Sequence, residues 1–140
     1  MEQEYRVETG QDSQHVIQVL EDKIYEYNSD RISRHDGRLF SRVVRDQNGS
    51  MIAGIAGWTW ACACEISQLW VSENVRKKGI GKRLLEVAEE EALANECSTI
   101  LVKTYSFQAP FFYEKHGYRI EHVVENFPNG YRYYTLTKAL

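Results

Sequence analysis

Apolar residues recur along this chain with two different periods, and the switches between them mark the elements. Residues 4–9 alternate weakly around Tyr5 and Val7, the pattern of a short strand. Asp12 and Ser13 then offer a helix N-cap, and Val16, Ile17, Leu20, Ile24 and Tyr27 follow at helical spacing, with Glu21, Asp22 and Glu26 on the wet side. Residues 28–37 are polar and irregular, which predicts a loop. Strands are predicted over 39–45 and 51–60, joined by Asp46-Gln47-Asn48-Gly49, where Asn-Gly suits positive φ. Trp58 and Trp60, two apart, face the same way, as core residues or as the wall of a pocket.

After a turn at 61–63, residues 65–71 read as a strand and 81–95 as an amphipathic helix with Leu84, Leu85, Ala88, Ala92 and Leu93 on one stripe. A short apolar strand over 99–104 makes this a strand-helix-strand crossover. Residues 109–116 form a short helix, with Pro110 in its first turn and Gly117 past its end. Strands over 118–124 and 131–138 close the chain around the turn at 126–130. The predicted architecture is α/β, a mixed sheet flanked by helices, in a single domain spanning residues 1–140.

Between the strand 65–71 and the helix lies Arg76-Lys77-Lys78-Gly79-Ile80-Gly81-Lys82-Arg83. A glycine loop opening a helix directs several free N–H groups outward with the positive end of the helix dipole behind them, a site for phosphate oxygens. It lacks the Gly-x-x-x-x-Gly-Lys-Ser/Thr of a nucleotide-hydrolase loop, and Leu84 stands where a dinucleotide fingerprint has its third glycine. What remains, Arg-x-x-Gly-x-Gly after Leu69-Trp70-Val71, resembles the acyl-CoA loop of the GCN5-related N-acetyltransferase (GNAT) superfamily. Further on, Ser106-Phe107-Gln108-Ala109-Pro110-Phe111-Phe112-Tyr113-Glu114-Lys115-His116-Gly117-Tyr118 resembles that family's second motif, Asn-x-x-Ala-x-x-Phe-Tyr-x-x-x-Gly-Phe/Tyr. The resemblance covers about residues 52–140, and Ser106 departs from it where many members carry Asn.

The resemblance implies a splayed-sheet acyl-CoA N-acyltransferase fold and a direct-attack transfer of acetyl from acetyl-CoA, as cosubstrate, to a primary amine of a small molecule, peptide or protein. Cofactor contacts would come from Leu69, Trp70 and Val71 on the strand and from Arg76, Lys77, Lys78, Gly79, Ile80, Gly81 and Lys82 in the loop, with Ser106 in place of the Asn. Tyr113 aligns with the family's general acid, and its aromatic neighbours Phe111 and Phe112 also suit plain packing. Glu65 matches the offset of a catalytic glutamate before the loop and would share a strand face with Ser67, Leu69 and Val71; water, His116 and His122 are the alternatives as base. A CoA-binding sensor without catalysis, or an interaction domain with a fortuitous loop, are the competing readings. Homodimers are common in the family.

Composition narrows the setting. With 17 basic and 20 acidic residues the net charge is −3, which argues against nucleic acid as a partner. The basic residues cluster instead at Arg76, Lys77, Lys78, Lys82 and Arg83, suited to a compact anion. Three cysteines without a CxxC pair suggest neither a disulfide framework nor a metal site; Cys62 and Cys64 read as packing residues on one strand face. No apolar stretch is long enough to span a bilayer, so a soluble, cytoplasmic protein is expected.

Overall fold

The computed structural model describes residues 4–140, which separate into two compact units, one ending at His35 and the other spanning Asp36–Leu140. In the first unit, residues 4–9 are exposed and pair with no other strand, so the strand expected there does not form. Alternation needs a neighbouring ladder to become a strand, and Tyr5 and Val7 stand almost fully in solvent. The helix α1 runs over Ser13–Ile32, opened by the Asp12 carboxylate accepting from the His15 N–H at 3.3 Å. It continues through Asn28 into the stretch predicted as loop and stops where Ser33 turns left-handed at φ 55°. Its one buried residue is Ser29, while Ile17, Leu20, Ile24 and Tyr27 are more than half exposed.

The second unit is a six-stranded mixed sheet in the order β1-β2-β3-β4-β6-β5, with strands β1 (Arg38–Arg45), β2 (Met51–Trp60), β3 (Ala63–Val71), β4 (Thr99–Tyr105), β5 (Arg119–Glu125) and β6 (Arg132–Ala139). Only β3 and β4 run parallel, and the helix α2 (Ile80–Ala94) connects them. A second short helix, α3 (Pro110–Lys115), follows β4. The β1–β2 turn differs from the expected Asn-Gly hairpin: Asp46 accepts from the N–H groups of Asn48 and Ser50, and only Gly49 is left-handed. Asp at the first position and Gly at the fourth suit a type I turn.

Alternation in β2 buries Ala53, Ile55 and Thr59 on one face. Cross-strand partners extend that face through Phe40, Cys64, Ile66, Ile100, Val102 and Leu136. Against it α2 lays Leu84, Leu85, Ala88 and Ala92, making one continuous core. Leu93, expected on the same stripe, is 59% exposed, because it sits about half a turn round the helix from Leu84. Trp58 and Trp60 lie on the other side of the sheet and are not core residues. Cys64 is core, but Cys62 sits in the left-handed turn Ala61–Cys62 and does not share its face.

One irregularity shapes everything downstream. β3 carries an extra residue, Ser67, opposite the Ala56–Gly57 step of β2. The bulge reverses the alternation of side chains, so Ile66, Leu69 and Val71 share the core face while Glu65, Gln68 and Trp70 take the other. Just beside it Gly57 is hemmed in: a Cβ there would overlap the Glu65 carbonyl oxygen and stand 2.7 Å from the Phe40 ring.

Gly57→Ala should therefore destabilise the fold by about 1–3 kcal/mol, the usual range for forcing a methyl into a filled space. Urea unfolding followed by tryptophan fluorescence measures it, and an unchanged midpoint would show that the strand pair can spread without cost.

Candidate active site

The parallel ladder between β3 and β4 is short. It begins at Ala63↔Thr99 and ends at Ile66↔Val102, although β3 continues to Val71 and β4 to Tyr105. Beyond the bulge the two strands part, and the β4-facing edge of residues 67–71, with Leu69, Trp70 and Val71, has no strand alongside it. This is the splayed edge expected from the sequence.

At the end of that edge the chain makes a 3-10 turn, Glu73–Val75, and enters the glycine loop. Arg76 folds back so that its Nε donates to the Val71 carbonyl at 3.1 Å, which ties the loop to the strand end. Lys77 and Gly79 are both left-handed, at φ 65° and 81°. Backbone that alternates hand in this way turns successive N–H groups toward one point. Gly79 then caps α2 without any side-chain hydrogen bond, and the first helical bond runs from Arg83 N–H to the Gly79 carbonyl. The N–H groups of Ile80, Gly81 and Lys82 are thus left for an external acceptor.

The two glycines have different jobs. Gly79 supplies positive φ; Gly81 is helical and lies against the Phe112 ring and Val71, which a Cβ would meet at 3.4 and 3.7 Å, so a single methyl fits there but branches beyond it would crowd. Of the basic residues, Arg83 is engaged by Glu90 at 2.9 Å and Glu86 at 3.6 Å, and Lys82 lies 3.9 Å from Glu86. Among the described residues Lys77 and Lys78 have no ion pair, and both are exposed.

Tyr113 lies on α3 with 5% of its surface exposed, its ring meeting Phe112 and Tyr118 edge-on at 5.3 and 5.7 Å. Burial pushes its phenol up to about 12. Tyr118 is raised further, by burial first and then by Glu89, whose carboxylate it meets at 3.4 Å and which also takes Lys138 at 2.8 Å. These contacts tie α3 and β6 to α2 on the core side of the sheet. His116 packs on Phe112 at 4.8 Å, and His122 is exposed on β5.

Glu65 faces the opposite side from Leu69 and Val71, not the side expected from simple alternation. There it accepts from the Trp58 indole N–H at 3.0 Å and lies 3.8 Å from the Lys103 ammonium. The sequence suggests Trp58 as a neighbour that helps bury Glu65, but neither this hydrogen bond nor the Lys103 ion pair. The signal was available: a two-residue turn at Ala61–Cys62 places Trp58 directly across from Glu65, whereas a turn over 61–63 does not. Glu65 and Tyr113 are therefore on opposite faces, with the parted strands between them.

Ser106 serves its own backbone. Its hydroxyl oxygen accepts from Arg132 N–H at 3.1 Å and its N–H donates to the Arg132 carbonyl at 2.8 Å, which joins the β4–α3 turn to the β5–β6 hairpin. Beside it, Gln108 Oε1 accepts from Tyr105 N–H at 2.9 Å. Among the described residues no group of three or more His, Cys, Asp or Glu could hold a metal ion, and no helix is long and apolar enough to cross a membrane.

Known proteins resemble this chain in sequence and fold. A profile of the acetyltransferase (GNAT) family matches residues 3–118. A blasticidin-S acetyltransferase of Streptomyces morookaense is 35% identical over 108 residues, covering 73% of this chain and 76% of that protein. The crystal structure of an acetyltransferase from Bacillus cereus superposes with a TM-score of 0.79 at 33% identity, over 97% of this chain and 98% of the other. An aminoglycoside 6'-N-acetyltransferase complexed with coenzyme A shares the fold at a TM-score of 0.61 and 21% identity, over 72% of each chain.

The buried phenol carries a consequence for stability. An unfolded tyrosine ionises near 10, so between pH 10 and about 12 the unfolded chain has released a proton that folded Tyr113 still holds. Stability from this group is complete below pH 10 and falls as pH rises toward 12. Urea midpoints should drop across that interval, and drop less in Tyr113→Phe; equal slopes in both proteins would mean the phenol ionises as easily folded as unfolded.

Proposed function

Because the chain belongs to the GNAT family of acetyltransferases, we propose that it is an acetyl-CoA-dependent N-acetyltransferase acting on a primary amine of a small molecule. The observation that carries this reading is the parting of β3 from β4 after Ile66, with an uncapped helix N-terminus at the end of the free edge. A pantetheine arm needs a strand edge to pair with, and a pyrophosphate needs converging N–H groups; here one continuous segment offers both. The relatives named for blasticidin-S and aminoglycosides support a small amine-bearing acceptor.

In this reading the backbone of residues 76–82 holds the pyrophosphate, with Lys77 and Lys78 adding charge. The edge at Leu69, Trp70 and Val71 aligns the arm, and an amide there donates to the thioester oxygen as it becomes negative. The neutral amine nitrogen attacks the carbonyl carbon, the C–S bond breaks and the sulfur leaves with the bonding pair, and the nitrogen sheds its surplus proton to water as the amide forms. Tyr113 stands on the core side of the gap to meet that charge. A phenol is protonated at neutral pH in any case, and burial makes this one a weaker acid still. It therefore donates a hydrogen bond to the sulfur first and gives up the proton only as C–S cleavage completes.

Glu65, on the other face, is placed for the acceptor. Held by Trp58 and Lys103, its carboxylate can orient an arriving ammonium and pass its proton to water. Ser106 is left to the hairpin, with its hydroxyl hydrogen free to donate.

Calorimetry tests the donor site: Gly81→Val, whose methyls would press on Phe112 and Val71, should weaken CoA binding at least about tenfold while the protein stays folded. Unchanged affinity would remove the loop from the mechanism. Steady-state rates separate the two side chains. Tyr113→Phe should lower kcat about 10- to 1000-fold, the range of one acid–base group, with CoA affinity little changed. Glu65→Gln should lower kcat/KM for the amine and leave CoA binding intact; wild-type rates in either variant would assign that residue to packing alone.

A further inference from the structure

Acetyl transfer leaves one feature of the structure without a role, the knot of aromatic rings where β4 ends. Tyr105 is its centre. Its ring stacks on Phe107 with centroids 5.3 Å apart and planes 3° from parallel, and on Tyr133 at 4.5 Å. Phe127 leans on Tyr133 at 5.2 Å, and Tyr131 meets Phe107 edge-on at 5.0 Å. None of these five rings belongs to the buried core. Phe107, Phe127 and Tyr131 are 57%, 50% and 51% exposed, an aromatic patch open to solvent.

Register places the patch. Tyr105 pairs with Tyr133, and both lie on the sheet face away from α2, the face of Glu65 and Lys103. Lys103 is two residues before Tyr105 on the same side of β4, about 7 Å along the strand. The rings thus begin one side-chain step beyond Lys103 and two beyond the register of Glu65, beside the parted strands.

The patch is also held firmly. Ser106 and Arg132 exchange two hydrogen bonds between its two halves, Gln108 pins the Tyr105 backbone, and Asn126 Oδ1 accepts from Gly130 N–H at 3.2 Å across the hairpin tip. At the rim Arg132 is paired with Glu125 at 3.1 Å. Rings fixed in this way can stack a ligand without first being ordered.

We propose that this platform is a subsite for a flat aromatic or heteroaromatic ring carried by the amine acceptor, and that it sets acceptor preference. A planar ring matches parallel π-faces, whereas a puckered saturated ring touches them at few points. With the ring against the exposed Phe107, the amine-bearing arm runs back along β4 past Lys103 toward Glu65. The proposal rests on the N-acetyltransferase reading for the identity of the ligand, but stacking itself can be measured without turnover.

The test compares 2-phenylethylamine with 2-cyclohexylethylamine, which share ring size and arm and differ in flatness. Cyclohexyl is the more hydrophobic of the two, so simple burial favours it, and stacking favours phenyl. At saturating acetyl-CoA the flat amine should have a kcat/KM about tenfold higher, within the range of one stacked ring. Phe107→Ala and Phe127→Ala, both at exposed positions, should each raise its KM severalfold, with kcat and the cyclohexyl reaction unchanged. Equal kcat/KM for the two amines in the wild type, or equal losses for both in the variants, overturns the proposal. If neither amine is acetylated, calorimetry decides. Tighter binding of the flat amine, lost in Phe107→Ala, would sink the transfer reading and support the platform; equal or absent binding would overturn the platform.

Discussion

The site depends on a single extra residue in β3. Ser67 has no partner on β2, and its insertion reverses the side-chain alternation of everything after it. Without the bulge, Leu69 and Val71 would face away from α2 and Glu65 would lie on their side. With it, Leu69 and Val71 rejoin the core face of Ile66, which stays apolar to the end of the strand, while Glu65, before the bulge, keeps the opposite face. The same bend coincides with the end of the β3–β4 ladder at Ile66. Gly57 and Phe40 make the local room: a ring lies across the glycine where a side chain would have pushed the strands apart.

From that departure point the chain builds two environments of opposite character. On one side of the gap Tyr113 is sealed among Phe112 and Tyr118, and Glu89 is consumed by Lys138 and Tyr118. On the other side Glu65 keeps a quarter of its side chain in solvent, with a neutral donor and a cation beside it. The proton donor and the amine-binding carboxylate proposed here have contrary needs for water. The sheet separates them, and the parted strands connect them.

Electrostatics around the loop follows from how the helix spends its charges. The net charge of the protein is negative, yet the loop remains positive because Glu86 and Glu90 are occupied by Arg83 and Lys82 within α2. Lys77 and Lys78 precede the helix, out of reach of that ladder of i,i+4 neighbours, and stay available. Local order of charge, rather than total charge, prepares this surface for an anion.

What the sequence alone determined is whatever depends on short-range pattern. The six strands of the sheet, α2 and α3, the Asp12 cap, Pro110 at the start of α3 and the glycine loop were all legible, because periodicity, capping and turn chemistry act within a few residues. Two motifs a fixed distance apart were enough for the family, as the profile match confirms. Tertiary structure decided what depends on partners distant in the chain. Residues 4–9 have strand-like alternation but no ladder to join, and α1 ran on past Asn28 since nothing local stopped it before Ser33. The face of Glu65, its pairing with Trp58 and Lys103, and the stacking of Tyr105 with Phe107 and Tyr133 all required the register of neighbouring strands. A one-residue bulge changes every face after it, and periodicity read from one strand cannot reveal a bulge that exists only relative to another.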